Sequence, residues 1–218
     1  MATKQNILES MKQAGISLGL FAVIATAIVA VTFFVTKDRI IENERLALLN
    51  SLHALIPANR HDNDLYADTI LLDVKSLNYR NKPVTVYRAR LDNEPAAAIF
   101  SVTAPDGYTG AIKLLVAINT NNTIAGVRVI SHKETPGLGD GIDIEKSNWI
   151  TSFDGRSFSN PTEKRWLVKK DGGDFDQLTG ATITPRAIVK MTKKTLQYFQ
   201  SNHVIVFATQ SKETKAGK

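Results

Sequence analysis

Residues 111–130 read AIKLLVAINTNNTIAGVRVI. Two apolar runs rich in Ile, Val and Leu flank the polar stretch Asn119-Thr120-Asn121-Asn122. Asparagine tolerates left-handed backbone and bonds its own main chain, so this stretch is predicted to be a hairpin turn joining antiparallel strands at 111–118 and 124–130. Working towards the N-terminus, three more β-type segments occupy 97–102, 84–91 and 69–74, behind a polar, turn-like stretch at 59–66. Towards the C-terminus the character changes. A helix is predicted over 143–153, after the Gly-rich stretch 137–141, and another over 185–200. A short apolar run at 204–207 and a charged tail at 209–218 close the chain. Strands and helices that do not alternate imply an α+β domain with a mainly antiparallel sheet and packed helices, not a doubly wound sheet.

A separate signal precedes this domain. Residues 14–35, AGISLGLFAVIATAIVAVTFFV, contain no charge, and a helix of that length crosses a hydrocarbon core of roughly 30 Å. The run is longer than a signal-peptide core. No small-x-small cleavage site follows it and Ala25-Thr26-Ala27 lies too early, inside the run, so an uncleaved single-pass anchor in a lipid bilayer is expected. Lys4 and Lys12 precede the span while Lys37, Arg39 and Arg45 follow it, and this distribution of cations does not choose a topology. Beyond it, Ile41, Leu48, Leu52 and Leu55 recur at helical spacing until Pro57 stops the pattern. The expected organisation is therefore a short head (1–13), a membrane helix (14–35), a juxtamembrane helix (36–60), a folded domain (61–208) and a flexible tail (209–218).

Composition removes several function classes. The 218 residues include no cysteine, which excludes disulfides, thiolate metal sites and iron–sulfur ligation by this chain. Net charge is +6, but Lys and Arg are dispersed without interleaved aromatics, so no nucleic-acid partner is expected. Gly137-Leu-Gly-Asp-Gly141 has the wrong spacing for a dinucleotide fingerprint. No P-loop and no G-x-S-x-G motif occurs, and a hydrolase would lack machinery.

Chemistry concentrates in residues 174–186, DFDQLTGATITPR. Pro185 suits the first position of a helix and Thr184 its N-cap, which puts Thr182 just ahead of a helix N-terminus. Unpaired amides and a partial positive charge at such a terminus favour an anion. Arg186 adds a cation, and Gly180 and Ala181 leave room for a bulky group to approach. A well-capped helix after a turn accounts for the same spacing with no ligand at all. In that case the protein would be a membrane-anchored binding or assembly module. His132 and Glu134, two apart in the upstream stretch, suggest a metal, but no third ligand is near them in sequence, and structural roles at a strand end are expected for both.

The string Asp176-Gln-Leu-Thr179-Gly180-Ala181-Thr182 resembles the flavinylation signature Asp-x-x-Ser/Thr-Gly-Ala-Thr of FMN-binding domains. The upstream stretch His132-Lys-Glu-Thr135-Pro-Gly137-Leu138-Gly139 resembles their second element. With the single span and the stretches GYTGAIKLLVAIN, GVRVISHKETPGLGD and FDQLTGATITPRAIV, the chain resembles the G subunits of Rnf/Rsx electron-transport complexes most densely over 107–190. The C subunit of sodium-translocating NADH:quinone reductase is the alternative. The resemblance implies covalent FMN joined to Thr182 by a phosphoester, with Asp176 and Thr179 as recognition and positioning residues; Gly180, Ala181, Thr184 and Arg186, from the helix-terminus reading, complete the expected cofactor-binding residues. It implies that Thr135, Gly137, Leu138 and Gly139 lie against the ring; Lys133, Lys169 and Lys170 are candidate positive charges near it or else only a solvated face. It also implies a separate flavin transferase and other membrane subunits as partners, and electron transfer of the ferredoxin/NAD type coupled to ion translocation. The implied location is the bacterial inner membrane, with the N-terminus cytoplasmic and the flavin domain periplasmic. No catalytic residue and no metal site are expected in this chain.

Overall fold

A computed structural model of the chain describes residues 2–208; the expected flexible tail, 209–218, and the side chain of Lys4 lie outside the described residues. The chain divides into two compact units, Met1–Ala47 and Leu48–Lys218.

The first unit is helical. Helix α1 runs Ala2–Leu55 without a break, so the membrane and juxtamembrane segments read separately in the sequence are one helix. No Pro or Gly pair lies between them to interrupt it. Leu18, Phe21, Ile28 and Phe34 are exposed along the apolar stretch, and among the described residues this is the one helix long and apolar enough to cross a membrane. Three of its hydroxyls are satisfied within the helix. The hydroxyls of Thr26, Thr32 and Thr36 donate to the carbonyls of Ala22, Ile28 and Thr32 at 2.7, 2.8 and 2.7 Å, as hydrocarbon requires of any hydroxyl it surrounds.

The second unit is built on one five-stranded sheet in the order β1 (Thr69–Leu72), β2 (Val84–Leu91), β3 (Glu94–Ala104), β4 (Ile112–Asn119) and β5 (Ile124–Ser131), every pair antiparallel. All five predicted strands are present, β3 longer at both ends and β1 shorter by two residues. The 119–122 stretch turns with Asn122 at φ 64° and its amide on the Asn119 carbonyl at 2.9 Å. Asp92 and Asn93, at φ 53° and 64°, close the β2–β3 hairpin, the left-handed pair that matches strand twist.

Both faces of the sheet are covered, so the strands read as continuous apolar runs. Successive side chains alternate: Tyr87, Ala89, Ile99, Leu115 and Ala117 meet Leu52, Leu55 and Ile56 at the end of α1. This covers the Leu stripe that the juxtamembrane sequence presents. Ile41, in the other unit, is exposed. Gly126 on β5 is part of the fit, since a Cβ there would lie 2.8 Å from Leu55 Cδ2. The opposite face, with Val86, Phe100, Leu114 and Val116, packs against helix α2 (Ile183–Phe207) through Ile188, Leu196 and Phe199. Each such apolar side chain contributes about 1.5–3 kcal/mol on burial.

Two helix predictions are corrected. The helix predicted over 143–153 is instead a 3-10 turn at Asn148–Phe153, preceded by another at Gly139–Ile142; Ser147 accepts from Trp149 N at 3.1 Å to cap the former and donates to Gly141 O of the latter at 2.5 Å. These local side-chain bonds compete with helix. Helix α2 begins at Ile183 with Thr182, not Thr184, at the N-cap. Pro185 then falls on the third helical residue, where a missing N–H costs nothing because the first four have no intrahelical partner. At the other end the apolar 204–207 run joins α2 beyond a kink at Asn202 (φ −134°). The segment from 139 to 178 is held by an aromatic cluster in which Phe153 stacks on Phe175 at 4.6 Å and Trp166 lies 5.1 Å from Phe175.

Candidate functional site

Two segments some forty residues apart meet above the N-terminus of α2. The first is a turn in which Ala181 N donates to Leu178 O at 3.0 Å. Its bend needs Gly180 at φ +76°, and a Cβ there would be 3.0 Å from Leu138 Cδ2. Trp149 fixes the approach to this turn by donating Nε1–H to Asp176 O at 2.6 Å. The second is the loop after β5. There the amides of Leu138 and Gly139 donate to Thr135 O at 3.2 and 3.0 Å around Gly137 at φ +76°. Gly139 lets the loop close on the helix, since a Cβ there would lie 2.9 Å from Glu134 Cβ and 3.2 Å from Thr184 Oγ1.

Between them lies a cavity of about 370 Å³ lined by Thr135, Leu138 and Gly139 from the loop, Gly180 to Thr184 from the turn and helix start, and Tyr108 and Glu134. Its volume is within the range of small-molecule and cofactor sites. Thr182, at φ −92° and ψ −29°, directs no side-chain bond to the helix amides, so its hydroxyl is not engaged as a cap. Leu138 and Tyr108 are exposed at the cavity, 47% and 67%.

The other sequence-predicted residues lie elsewhere. Gly137, Asp176, Thr179 and Arg186 are not among the lining residues. Asp176 pairs with Lys169 Nζ at 2.6 Å. Arg186 turns to Asp171, with Nε and Nη2 at 2.6 and 2.5 Å from its carboxylate, and this hydrogen bond holds the Asp171 carboxyl below its usual range.

The sign of charge at the cavity differs from expectation. None of Lys133, Lys169 and Lys170 lines it, whereas the carboxylate of Glu134 does. Glu134 is 4% exposed and accepts from Tyr108 N at 3.3 Å, Thr109 N and Oγ1 at 3.1 Å each, and the Thr184 hydroxyl. Burial pushes its proton affinity up, but the bonds from Thr184, Thr109 and Tyr108 outweigh burial and hold the carboxyl below the ordinary carboxylate range. Behind it, Glu134 N donates to His132 Nδ1 at 3.0 Å, and His132 Nε2 lies 2.9 Å from Asp143 Oδ2. The imidazole thus accepts through Nδ1 and donates through Nε2. Glu134, Tyr108 and Ile183 were missed as cavity residues, although Tyr108 stands in the stretch GYTGA and Ile183 in GATITPRA, which carry part of the resemblance.

Comparison with known proteins agrees with this geometry. The family model described as FMN-binding domain matches residues 107–197, which include every residue lining the cavity, and the RnfG N-terminal region matches residues 1–55. The G subunit of the ion-translocating oxidoreductase complex of Vibrio atlanticus (strain LGP32) is 45% identical over 202 residues, covering 93% of this chain and 96% of that protein. The protein of the same name from Shewanella baltica (strain OS223) is 48% identical, covering 89% and 92%. That from Aliivibrio fischeri (strain ATCC 700601 / ES114) is 42% identical, covering 90% and 93%. With this identity over nearly the whole length of both chains, the protein belongs to the family of G subunits of ion-translocating oxidoreductase complexes.

Proposed function

We propose that this chain is the membrane-anchored flavoprotein subunit of an ion-translocating electron-transport complex and that it carries electrons through FMN esterified to Thr182. The observation that carries the reading is the shared cavity, in which the 135–139 loop and the 180–184 segment face one another. Bound FMN supplies one- and two-electron redox chemistry. The chain's own residues supply position and electrostatics. Amides at the start of α2 and the helix dipole favour a phosphate at its N-cap. Gly180 lets the chain bend there without a Cβ against Leu138, and Leu138 offers an apolar face while the Thr135 hydroxyl offers a hydrogen bond. A threonine hydroxyl is a weak nucleophile, so attachment falls to a magnesium-dependent flavin transferase with FAD as donor. Thr182 Oγ1 forms the new P–O bond, the pyrophosphate bond breaks, AMP leaves, and the hydroxyl proton passes to the transferase.

On this reading the partners are the other membrane subunits, the couple is of the ferredoxin/NAD type, and the apolar stretch of α1 lies in the bacterial inner membrane with the N-terminus cytoplasmic and the flavin domain periplasmic. Full-length protein co-expressed with a flavin transferase is expected to fluoresce as a single band after denaturing electrophoresis, with FMN mass on the Thr182 peptide. A colourless, unmodified chain under those conditions would leave the assembly-module reading in its place.

A further inference from the structure

We propose that Glu134 sets the reduction potential of a flavin held in this cavity, its buried carboxylate acting as a fixed negative charge that opposes electron entry. The inference rests on the reading of FMN at Thr182 and concerns a residue whose place in the sequence suggests only a strand-end structural role. Three observations carry it. Among the described residues Glu134 is the one carboxylate lining the cavity, and no described lysine or arginine lines it to cancel that charge. Its donors are two amides and two hydroxyls, which are all neutral, so the charge is solvated by dipoles without being neutralised. Those donors come from two places, the 107–110 turn and the start of α2, while the residue's own amide is tied to His132 Nδ1 just beyond β5. The carboxylate therefore cannot swing away without breaking several bonds at once.

Two electrons from a reduced carrier and one proton leave a flavin ring with one negative charge, and a second proton removes it. A fixed anion in the same low-dielectric cavity disfavours the charged product and holds the potential down. Glu134 touches no reacting atom in this scheme. It is a positioning and tuning residue, and it acts on the ring through space.

The test uses the full-length protein in detergent at pH 8, flavinylated in the cell and titrated with dithionite. Glu134→Gln keeps the shape and removes the charge, and is expected to raise the flavin midpoint potential by at least about 30 mV, a tenfold change in a two-electron equilibrium. Glu134→Asp, which restores a charge, is expected to return most of that shift. Thr184→Val keeps the carboxylate but takes away a donor that disperses its charge, and is expected to lower the potential. It carries the test alone should Glu134→Gln not fold. An unchanged potential in flavinylated Glu134→Gln, or an unchanged or raised one in Thr184→Val, overturns the inference. So does a folded Glu134→Gln that has lost its flavin, because the residue would then act on attachment. Absence of FMN from the Thr182 peptide of the unaltered protein is a different failure, that of the underlying reading.

Discussion

The two ends of α2 answer the same electrostatic demand in opposite ways. At the C-terminal end, Arg88 Nη1 and Arg90 Nη2 donate to the carbonyls of Ala208 and Phe207 at 2.9 and 3.3 Å, and Asp68 bonds both guanidinium groups at 2.6 and 2.9 Å. Cations meet the negative end of the dipole and an anion fixes the cations. At the N-terminal end a carboxylate, Glu134, meets the positive end through Thr184, but Thr182 caps nothing and a cavity of about 370 Å³ adjoins it. The first end is saturated with protein groups. The second is left incomplete, and that is where a ligand has room to finish the arrangement.

The largest effect that separates the ends is on the cofactor. Thr182→Val is expected to abolish covalent flavin while leaving the far-ultraviolet circular dichroism unchanged. Asp68→Ala should retain in-gel flavin fluorescence at the level of the unaltered protein. Retention of covalent flavin by the Thr182 variant would break the assignment outright.

Next in size is stability at the saturated end. Asp68→Ala leaves two largely buried guanidinium groups without their anion, and is expected to cost about 3 kcal/mol, read from denaturant unfolding of the full-length chain followed by Trp149 and Trp166 fluorescence. Gly180→Ala places a Cβ at φ +76° and 3.0 Å from Leu138 Cδ2. About 1 kcal/mol of destabilisation is expected, together with a reduced fraction of flavinylated protein by intact mass.

The smallest effect is acid sensitivity. Glu134 is held below its ordinary range in the folded protein, so its contribution to stability is complete above the unfolded carboxylate range. It fades as pH falls through the lower folded value. Glu134→Gln should flatten that part of the stability profile, and Asp68→Ala should not.

The sheet was legible in the sequence because its signals are local: β-branched runs, two of them punctuated by Asn119–Asn122, need no distant partner to be read. The ends of α2 were not. Thr184 and Pro185 form a good local cap and N1 pair, yet Thr184 is buried, and its hydroxyl goes to Glu134, fifty residues away; tertiary bonding moved the helix start two residues towards the N-terminus. The site shows the same division. The strings around Thr135–Gly139 and Thr179–Thr182 were visible as strings, but the lining role of Glu134 depends on Tyr108, Thr109 and Thr184, three donors with no sequence proximity to it. Arg186 shows the converse case. Its spacing suits a phosphate, and only the fold reveals that Asp171 claims it.

Helix α2 also separates its two ends. Twenty-five residues at about 1.5 Å rise span roughly 35 Å, well beyond the distance at which substitutions interact energetically. Changes at the Asp68 cluster and changes around Thr182 should therefore add, each leaving the other's effect intact. The scaffold can drift or be stabilised at one end while the redox end is selected on its own terms.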